Sequence, residues 1–390
     1  MDKEAVLFAL ICNVICGETL SEEVKTACTP EILDSVHALA AKHDLAHLVG
    51  QAVSKLDLPQ SEALAKCKQT AMAAFVRYMR LDHEYQLVCR ALEDAQIPFI
   101  PLKGAVLRAY YPEPWMRTSC DVDILVKETE LGVAGKVLKE TLGYRFDEKT
   151  GHDMSFFSPG GSHIELHFDL VEDGRANAAS QVLRRVWEDA KPRDGHGFWY
   201  EMSDTLLYFY HIAHMAKHFE TGGCGIRPFI DLWLLDNVVK GDQVCRDDLL
   251  QSGELLRFAM AARKLSRVWF GGEVKDPLSG KLQSFLLHGG VYGSTDNRVA
   301  LQKREGDSQL RYVCSRVFAP YEKLKAYYPI LEKRRWLMPI MQIRRWFMLL
   351  RPDVFRMAKG ELAASRCMDS TNAEDAGKLL DSLGLNTAAW

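Results

Sequence analysis

The sequence lacks the cysteine patterns that mark metal modules and secreted scaffolds. Its ten cysteines include no C-x-x-C pair, and their spacing fits neither a zinc module nor a dense disulfide framework. Several stand in apolar runs with helical spacing, such as LICNVIC. We therefore expect reduced, mostly buried thiols in a protein of the cytoplasm.

Long apolar runs and a strong excess of one charge are also missing. No stretch reaches the roughly 18 consecutive apolar residues of a membrane-spanning helix, so we expect no transmembrane segment. The first residues include the acids Asp2 and Glu4, whereas an export signal begins with positive charge, and we predict a helix there instead. The formal net charge of -3 does not favour a nucleic-acid partner, which would need a local basic patch.

What is present is a chain of ordinary globular composition whose pattern changes in its middle. With 47% hydrophobic and 26% charged residues, the 390 residues can bury a substantial core, and the length suggests two or three domains. Helical spacing dominates residues 1–95 and 196–390, whereas residues 96–195 alternate short apolar runs with helices. The sequence predicts an α+β fold, with a small mixed sheet flanked by N-terminal and C-terminal helical regions.

Local boundary residues refine this outline. Thr29, followed by a proline, predicts a helix start, Ser61 predicts the start of one long helix, and Gly143 predicts a helix end. Residues 288–309 lack clear periodicity and are predicted to form a loop. The polar tail after about residue 365 is expected to fray.

Two aspartates stand near the entry of a predicted strand, CDVDILV. Side chains two residues apart in a strand share a face, so Asp121 and Asp123 point the same way, with Cα atoms roughly 6.5 Å apart. Glu165, inside the later strand HIELHF, is the candidate for a third acid. Carboxylates so placed repel unless a cation lies between them, and oxygen ligands favour Mg²⁺ or Mn²⁺. A solvated edge of the sheet is the alternative interpretation of the aspartate pair.

The segment PLKGAVLRAYYP precedes this strand and has the character of a phosphate-binding turn. A short strand is predicted to end at Gly104, where a helix begins, and backbone amides at a helix start can bind phosphate. Lys103 could add a point charge for phosphate. Arg117, four residues before Asp121, could bind phosphate in a bidentate manner or could pair with a surface acid.

Together, LKGAVLRAYYPEPWMRTSCDVDILV and HIELHFDL resemble the nucleotidyltransferase superfamily of the DNA polymerase β type. The similarity is greatest to an uncharacterised bacterial nucleotidyltransferase-like family with LKG…R…D-x-D-x-L-V motifs, and it covers roughly residues 95–235. The resemblance implies that Gly104 cradles the triphosphate and that Asp121 and Asp123 hold the metals. It also implies that Glu165 completes the carboxylate set.

One position departs from that pattern. The glycine motif usually continues with Gly or Ser, whereas Ala105 follows Gly104 here. A missing serine hydroxyl removes one phosphate contact, for which Lys103 could compensate. The departure leaves open the alternative of a catalytically weak or inactive nucleotide-binding or interaction protein that retains the fold.

The resemblance implies a metal-dependent transfer of a nucleoside monophosphate. A nucleoside triphosphate such as ATP is the expected donor, and Mg²⁺ or Mn²⁺ the expected cofactor. The acceptor hydroxyl or side chain is open, and the net charge favours a small molecule or a protein over RNA. A third hypothesis is a metal-dependent phosphohydrolase built on the H-x-E-x-H and D-x-D motifs.

Histidines flank the third acid on its strand. His163 and His167 share a face with Glu165, and such a set could chelate zinc, although helix-borne histidines are the better-known arrangement. The interpretation that we favour is that one histidine orients Glu165 or contacts substrate while the other packs. We include His163 and His167 among the candidate cleft residues.

A second set of candidates lies in the predicted C-terminal helices. His211, His214 and His218 follow helical spacing, and buried helix positions are their simplest interpretation. In the resembling group a histidine-bearing helix and a following R-x-x-x-D-L motif recur, which here matches Arg227 and Asp231. By that resemblance His214, Arg227 and Asp231 could line the cleft, with Asp231 as a base or as the partner of Arg227.

An aromatic and basic segment follows at residues 333–357. Its composition fits a membrane-surface helix, a nucleic-acid patch or an ordinary amphipathic helix pair broken at Pro339. The helix pair is the interpretation that we favour, since Trp and Met are also core residues.

Overall fold

The structure, a computed structural model, describes most of the chain. The described residues are 1–171, 177–220, 222–238, 242–291, 293–302, 317–321, 324–325, 328, 330–348 and 370–385. They form an α+β fold in which a five-stranded mixed sheet is flanked by helical regions on both sides in sequence. This confirms the predicted fold class. The last part of the basic segment, residues 349–357, lies outside the described residues.

The N-terminal region is helical, as predicted. Its helices are α1 (Lys3–Ile15), α2 (Glu22–Ala27), α3 (Pro30–Lys42), α4 (Ala46–Ser54) and α5 (Glu62–Asp94). The side chain of Thr29 accepts a hydrogen bond from the amide of Ile32, and Ser61 accepts one from the amide of Leu64. These side chains satisfy amides that have no partner inside the first turn, which explains why α3 and α5 begin there.

The sheet is built from five short strands. They are β1 (Phe99–Pro101), β2 (Asp121–Val126), β3 (Arg145–Lys149), β4 (Asp153–Phe157) and β5 (His163–His167). Their spatial order is β1-β2-β5-β4-β3, with β2 and β5 parallel and the other neighbours antiparallel. The parallel pair brings two strands together that are distant in sequence, and both carry predicted site residues.

One face of the sheet is apolar and packs against helices. Ile124 on β2 and Ile164 and Leu166 on β5 are fully buried, in one cluster with Val88 of α5 and Leu138. Since side chains alternate along a strand, the intervening acids and histidines of β2 and β5 point to the opposite face. The apolar face therefore anchors the sheet and leaves the other face for polar groups.

Short helical segments connect the strands. These are α6 (Lys103–Leu107), turns at Arg108–Tyr110, Pro114–Met116 and Glu128–Glu130, α7 (Leu131–Lys136) and a π-helical turn at Val137–Thr141. Gly143 follows this last turn with a φ of 71°, a left-handed conformation that glycine adopts without strain, and it ends the helix as predicted.

Helices return after the sheet, as predicted. They are α8 (Ala178–Leu183), α9 (Val186–Asp189), α10 (Asp204–Glu220), α11 (Arg227–Val238), α12 (Gln243–Ser252), α13 (Leu256–Phe270), α14 (Pro277–His288), α15 (Thr295–Gln302), α16 (Ile330–Lys333), α17 (Met338–Met348) and α18 (Ser370–Leu383). A small ribbon, β6 (Lys191–Pro192) with β7 (Tyr200–Glu201), precedes α10. Across the described residues, no helix combines the length and the apolar character needed to cross a bilayer.

The two helical regions share a hydrophobic core. The ring of Phe8 in α1 stacks on Trp269 in α13 with centroids 4.9 Å apart, and the Cys12 thiol donates a hydrogen bond to the Trp269 carbonyl at 3.3 Å. One continuous cluster of buried side chains includes residues of α1, α4, α10, α11, α13 and α18. The N-terminal and C-terminal helices thus stabilise each other directly.

Two predictions about the C-terminal region were wrong for the residues that the structure describes; residues 303–309, 365–369 and 386–390 of the predicted loop and tail lie outside them. The predicted loop at residues 288–309 contains helix α15, in which Val299 is fully buried. The tail that was expected to fray contains α18, with Leu380 and Leu383 buried against α13 and α15. Helix α15 has only eight residues and both helices are largely polar, so their stability comes from tertiary packing of a few apolar residues.

Candidate active site

A cavity lies between the polar face of the sheet and helices α10 and α11. Its volume is about 530 Å³, which is within the range of small-molecule sites. The sheet contributes the acids of β2 and β5, α6 contributes Lys103 and Gly104, and α10 and α11 contribute Tyr210, His214 and Asp231. Every candidate residue named from the sequence except His163 lines this cavity.

The three predicted carboxylates meet on the sheet. In the parallel register of β2 and β5, Asp121 is opposite His163 and Asp123 is opposite Glu165. Ligating atoms of Asp121, His163 and Glu165 all lie within 4.8 Å of one another, and so do those of Asp123, Glu165 and His167. The register therefore turns two separate sequence motifs into one acidic site.

Two basic groups contact the acids. The Lys103 ammonium lies 3.2 Å from Oδ1 of Asp123, and His167 Nε2 lies 2.9 Å from the same oxygen and 3.2 Å from Oε2 of Glu165. Burial alone would raise the pKa of Asp123, but Lys103 and His167 hold it well below its usual range. Burial alone would lower the pKa of His167, but its hydrogen bonds to Asp123 and Glu165 raise it.

Asp121 is in a different electrostatic position. Burial, together with repulsion from Asp123 and Glu165, raises the pKa of Asp121 to about 6 against the attraction of Lys103. Nearby cations therefore compensate the charge of the Asp121 carboxylate less than that of the Asp123 carboxylate. The donor set, three carboxylates with imidazoles at its edge, fits a hard divalent cation such as Mg²⁺ or Mn²⁺.

The LKG turn differs in detail from the sequence prediction. Strand β1 ends at Pro101, before Gly104, and the left-handed residue is Lys103 with a φ of 42°. A Cβ atom on Gly104 would lie 3.0 Å from Nη1 of Arg117 and 3.1 Å from Cβ of Ser119. Glycine is therefore needed here for close packing against the segment that leads into β2.

Arg117 and Asp231 form a buried ion pair beside the acids. Nε and Nη2 of Arg117 donate to Oδ1 and Oδ2 of Asp231, each at 2.8 Å, and the Tyr111 hydroxyl donates to Oδ1 at 2.7 Å. Burial alone would raise the pKa of Asp231, but Arg117 lowers it. Both oxygens of Asp231 are occupied, which fixes Arg117 behind the Gly104 turn.

The predicted pairing of Asp231 with Arg227 was wrong. Nη1 of Arg227 donates instead to Oδ2 of Asp44 and to the carbonyl of Thr118, each at 3.0 Å. Spacing of four residues puts Arg227 and Asp231 on one helix face, but the buried guanidinium of Arg117 competes more strongly for the carboxylate.

The histidines separate into two groups. His163 Nδ1 lies 3.6 Å from Oε1 of Glu165, so His163 and His167 both accompany the acids. On α10, Nε2 of His211 donates to the Pro228 carbonyl at 2.9 Å.

The other α10 histidines contact each other. Nε2 of His214 and Nε2 of His218 are 3.1 Å apart, and both side chains line the cavity. Burial, followed by repulsion from His218 and Lys103, holds the pKa of His214 well below its usual value. His214 therefore lines the cavity in surroundings that disfavour its charged form.

Several polar residues of the cavity were missed in the sequence, among them Tyr210, Ser119 and Asp44. Tyr210 stands four residues before His214 on the same face of α10, so helical spacing could have identified it. Ser119 lies between two noted residues, Arg117 and Asp121. Asp44 belongs to the N-terminal region, and no local pattern indicates that it reaches the site.

Comparison with known proteins agrees with the resemblance at the level of nucleotidyltransferases. Residues 31–271, more than half of the chain, match the model of a family described as an uncharacterised nucleotidyltransferase. The matched range contains the acids, the LKG turn and the α10 and α11 residues of the cavity. No curated protein and no solved structure matches the chain. The chain therefore belongs to the family of uncharacterised nucleotidyltransferases.

Proposed function

We propose that the protein is a metal-dependent nucleotidyltransferase that moves a nucleoside monophosphate from a nucleoside triphosphate to an acceptor hydroxyl or side chain. The observation that carries the proposal is the register of β2 and β5. It brings Asp121, Asp123 and Glu165 into one cavity together with Lys103. This is a set of charges suited to a cation and a polyphosphate.

Asp121, Asp123 and Glu165 are the residues that would hold the cation. When bound, a divalent cation neutralises charge on the phosphates and lowers the pKa of an acceptor hydroxyl. Asp121 and Glu165 face the cavity partly exposed, whereas Asp123 is buried beneath them. Asp123 therefore has the most rigid position, held by Lys103 and His167.

Lys103 supplies an ammonium group in contact with the carboxylates. Its ammonium is the group of this turn that we expect to bind phosphate oxygens as a point charge. Nε and Nη2 of Arg117 are engaged by Asp231, and its Nη1 is the atom closest to a Cβ on Gly104. We propose that Arg117 acts on the nucleotide by fixing the Gly104 turn.

The cavity favours a small acceptor. A volume of about 530 Å³ is of the size that holds small ligands, and apolar side chains such as Leu183, Leu207 and Leu255 line one part of it. His214 lines the cavity as a polar contact for the acceptor, and its lowered pKa makes it a poor general base. ATP is the donor to test first, followed by the other triphosphates.

A second candidate function is nucleotide binding without transfer. The observation that favours it is that Ala105 stands where related motifs have Gly or Ser, while Lys103 and His167 already neutralise Asp123. In that case the acids would be a structural feature and the cavity would bind nucleotide only.

The test is a transfer assay with α-labelled triphosphates, Mg²⁺ or Mn²⁺, and a small-molecule extract as the source of acceptor. We expect pyrophosphate release and a labelled product of higher mass, both lost in Asp121→Asn with Asp123→Asn. Asp147→Asn, an exposed aspartate on β3, is the matched control and should keep full activity. Binding without pyrophosphate release would support the second candidate, and release of inorganic phosphate would indicate a phosphohydrolase.

A further inference from the structure

A row of large apolar side chains is exposed along α17 and the turn before it. Trp336, Ile340, Ile343 and Phe347 are 70%, 52%, 49% and 68% exposed. Their spacings of four, three and four residues put them on one face of the helix. We call these four side chains the apolar stripe.

The opposite side of the same segment is packed. Leu331 and Leu324 are fully buried in a small cluster, and the indole nitrogen of Trp346 donates to the Val317 carbonyl at 2.8 Å. Arg345 donates to the same carbonyl at 3.2 Å. These contacts fix which face of α17 points outward, so the apolar stripe is a defined surface of the folded protein.

Basic residues surround the apolar stripe. Residues 330–348 contain five Lys and Arg and one acid, Glu332, in a chain whose net charge is -3. Lys333, Arg334, Arg335 and Arg344 are exposed. The surface is therefore locally cationic although the protein is not.

Two of these arginines are held in place by aromatic rings. The guanidinium of Arg335 lies 4.4 Å from the ring centroid of Tyr321, and that of Arg344 lies 5.6 Å from that of Tyr328. These contacts leave both guanidinium groups charged, with nitrogens beside the apolar stripe that can bind an anion.

We propose that residues 330–348 dock the protein onto an anionic lipid surface, with the apolar stripe inserted among the acyl chains and the basic residues at the headgroups. A Trp and Phe row beside Lys and Arg is the composition of helices that lie in a bilayer interface. RNA would need the basic residues but not Ile340 and Ile343. The segment lies outside residues 31–271, so the proposal is independent of the proposed catalytic function.

The test is co-sedimentation of the full chain with vesicles of phosphatidylcholine, alone or mixed equally with phosphatidylglycerol. We expect binding to the anionic vesicles only, and its loss in Ile340→Glu with Phe347→Glu. The matched control is Val76→Glu with Met79→Glu, which puts two acids on an exposed apolar face of α5, 52% and 53% exposed, and should bind normally. Circular dichroism melting checks that both variants are folded.

Charge removal gives a second measurement. Arg334→Gln with Arg344→Gln should weaken binding by about fivefold per residue, and added salt should weaken it further. Equal binding to both vesicle types, or unchanged binding by the Ile340 and Phe347 variant, would overturn the proposal. A dimer in analytical ultracentrifugation that this variant dissociates would assign the stripe to a second copy. Binding to RNA that depends on the arginines alone would assign the surface to a polyanion; either result overturns lipid docking.

Discussion

The Lys103 ammonium contacts the Asp123 carboxylate from a backbone position that side chains rarely adopt. The two groups are 3.2 Å apart, and the φ of Lys103 is 42°. A non-glycine residue in this conformation costs roughly 1 kcal/mol or more, so the surrounding fold must hold it. Because the fold holds Lys103 against the acids despite this cost, we assign its side chain to nucleotide binding.

This backbone conformation leads to the first prediction. Lys103→Gly should be more stable than Lys103→Ala by about 1 kcal/mol, because both remove the charge but only glycine avoids the left-handed strain. Ala105→Gly, in the same short helix, is the control: at an ordinary helical position alanine is more stable than glycine, so this variant should lose roughly 0.5–1 kcal/mol. Urea unfolding measures both free energies. A Lys103→Ala protein as stable as Lys103→Gly would contradict the strain.

The buried Arg117–Asp231 pair gives the second prediction. Asp231→Asn should lower the free energy of unfolding by about 3–5 kcal/mol, because it leaves the Arg117 guanidinium buried without its charge partner. Glu188→Gln removes the partner of Arg185 in an exposed, solvent-screened pair and should leave stability nearly unchanged. Chemical denaturation of the two variants tests the difference, and similar losses would contradict a special role for the buried pair.

Close packing at Gly104 gives the third prediction. Gly104→Ala should lower stability by about 1–3 kcal/mol and weaken nucleotide binding, because the new Cβ meets Arg117 and Ser119. Ser119→Gly removes one of these contacts but also the hydroxyl that accepts from Arg108, so the cost of Gly104→Ala should be smaller when it is measured in the Ser119→Gly background. Isothermal titration with ATP and urea unfolding would be measured together. An equal cost in both backgrounds would indicate that Arg117, and not Ser119, sets the limit.

A buried histidine gives the fourth prediction, which concerns pH. Burial lowers the pKa of His47 to about 4, although its ring nitrogen contacts the Met116 carbonyl at 2.7 Å. The unfolded chain binds a proton near pH 6.5, so the stability from His47 is present above that pH and is lost as the pH falls toward 4. We expect the contribution of His47 to the free energy of unfolding to fall by about 2 kcal/mol between pH 7 and pH 5.

The variant His47→Gln tests this assignment. Glutamine keeps a donor for Met116 but cannot titrate, so its stability should fall less between pH 7 and pH 5. Buried His43, whose pKa burial also lowers to about 4, still contributes in both proteins. If the free energy of unfolding falls with pH in parallel for wild type and His47→Gln, the contribution of His47 is contradicted.

The two-residue spacing of the acids and histidines in their strands was enough to predict the acidic face of the sheet. Alternation along a strand put Asp121 with Asp123, and the same rule put His163 and His167 with Glu165. The parallel pairing of β2 and β5 could not be derived, because it joins strands about forty residues apart through an intervening helix and hairpin. Sequence gives the face of each strand, whereas tertiary packing decides which strands are neighbours.

The errors have one physical cause. The resemblance suggested Asp231 as a base or as the partner of Arg227, but a buried guanidinium from the segment before β2 pairs with Asp231 instead. Asp44 reaches Arg227 from the N-terminal helices, and no local rule connects them. Helices α15 and α18 similarly depend on contacts that their own sequences do not reveal.

The stacking of Phe8 on Trp269 has a consequence for synthesis of the chain. Helix α1 is synthesised well before α13, yet the Cys12 thiol meets the Trp269 carbonyl 257 residues later. At about 5–20 residues per second, α1 waits roughly 10–50 s for its partner. During that time the part of α1 that packs on α13 is open to chaperones, whereas its contacts with α3 and α4, and the sheet with its shorter loops, can form earlier. Translation speed before residue 270 should therefore influence the yield of native protein.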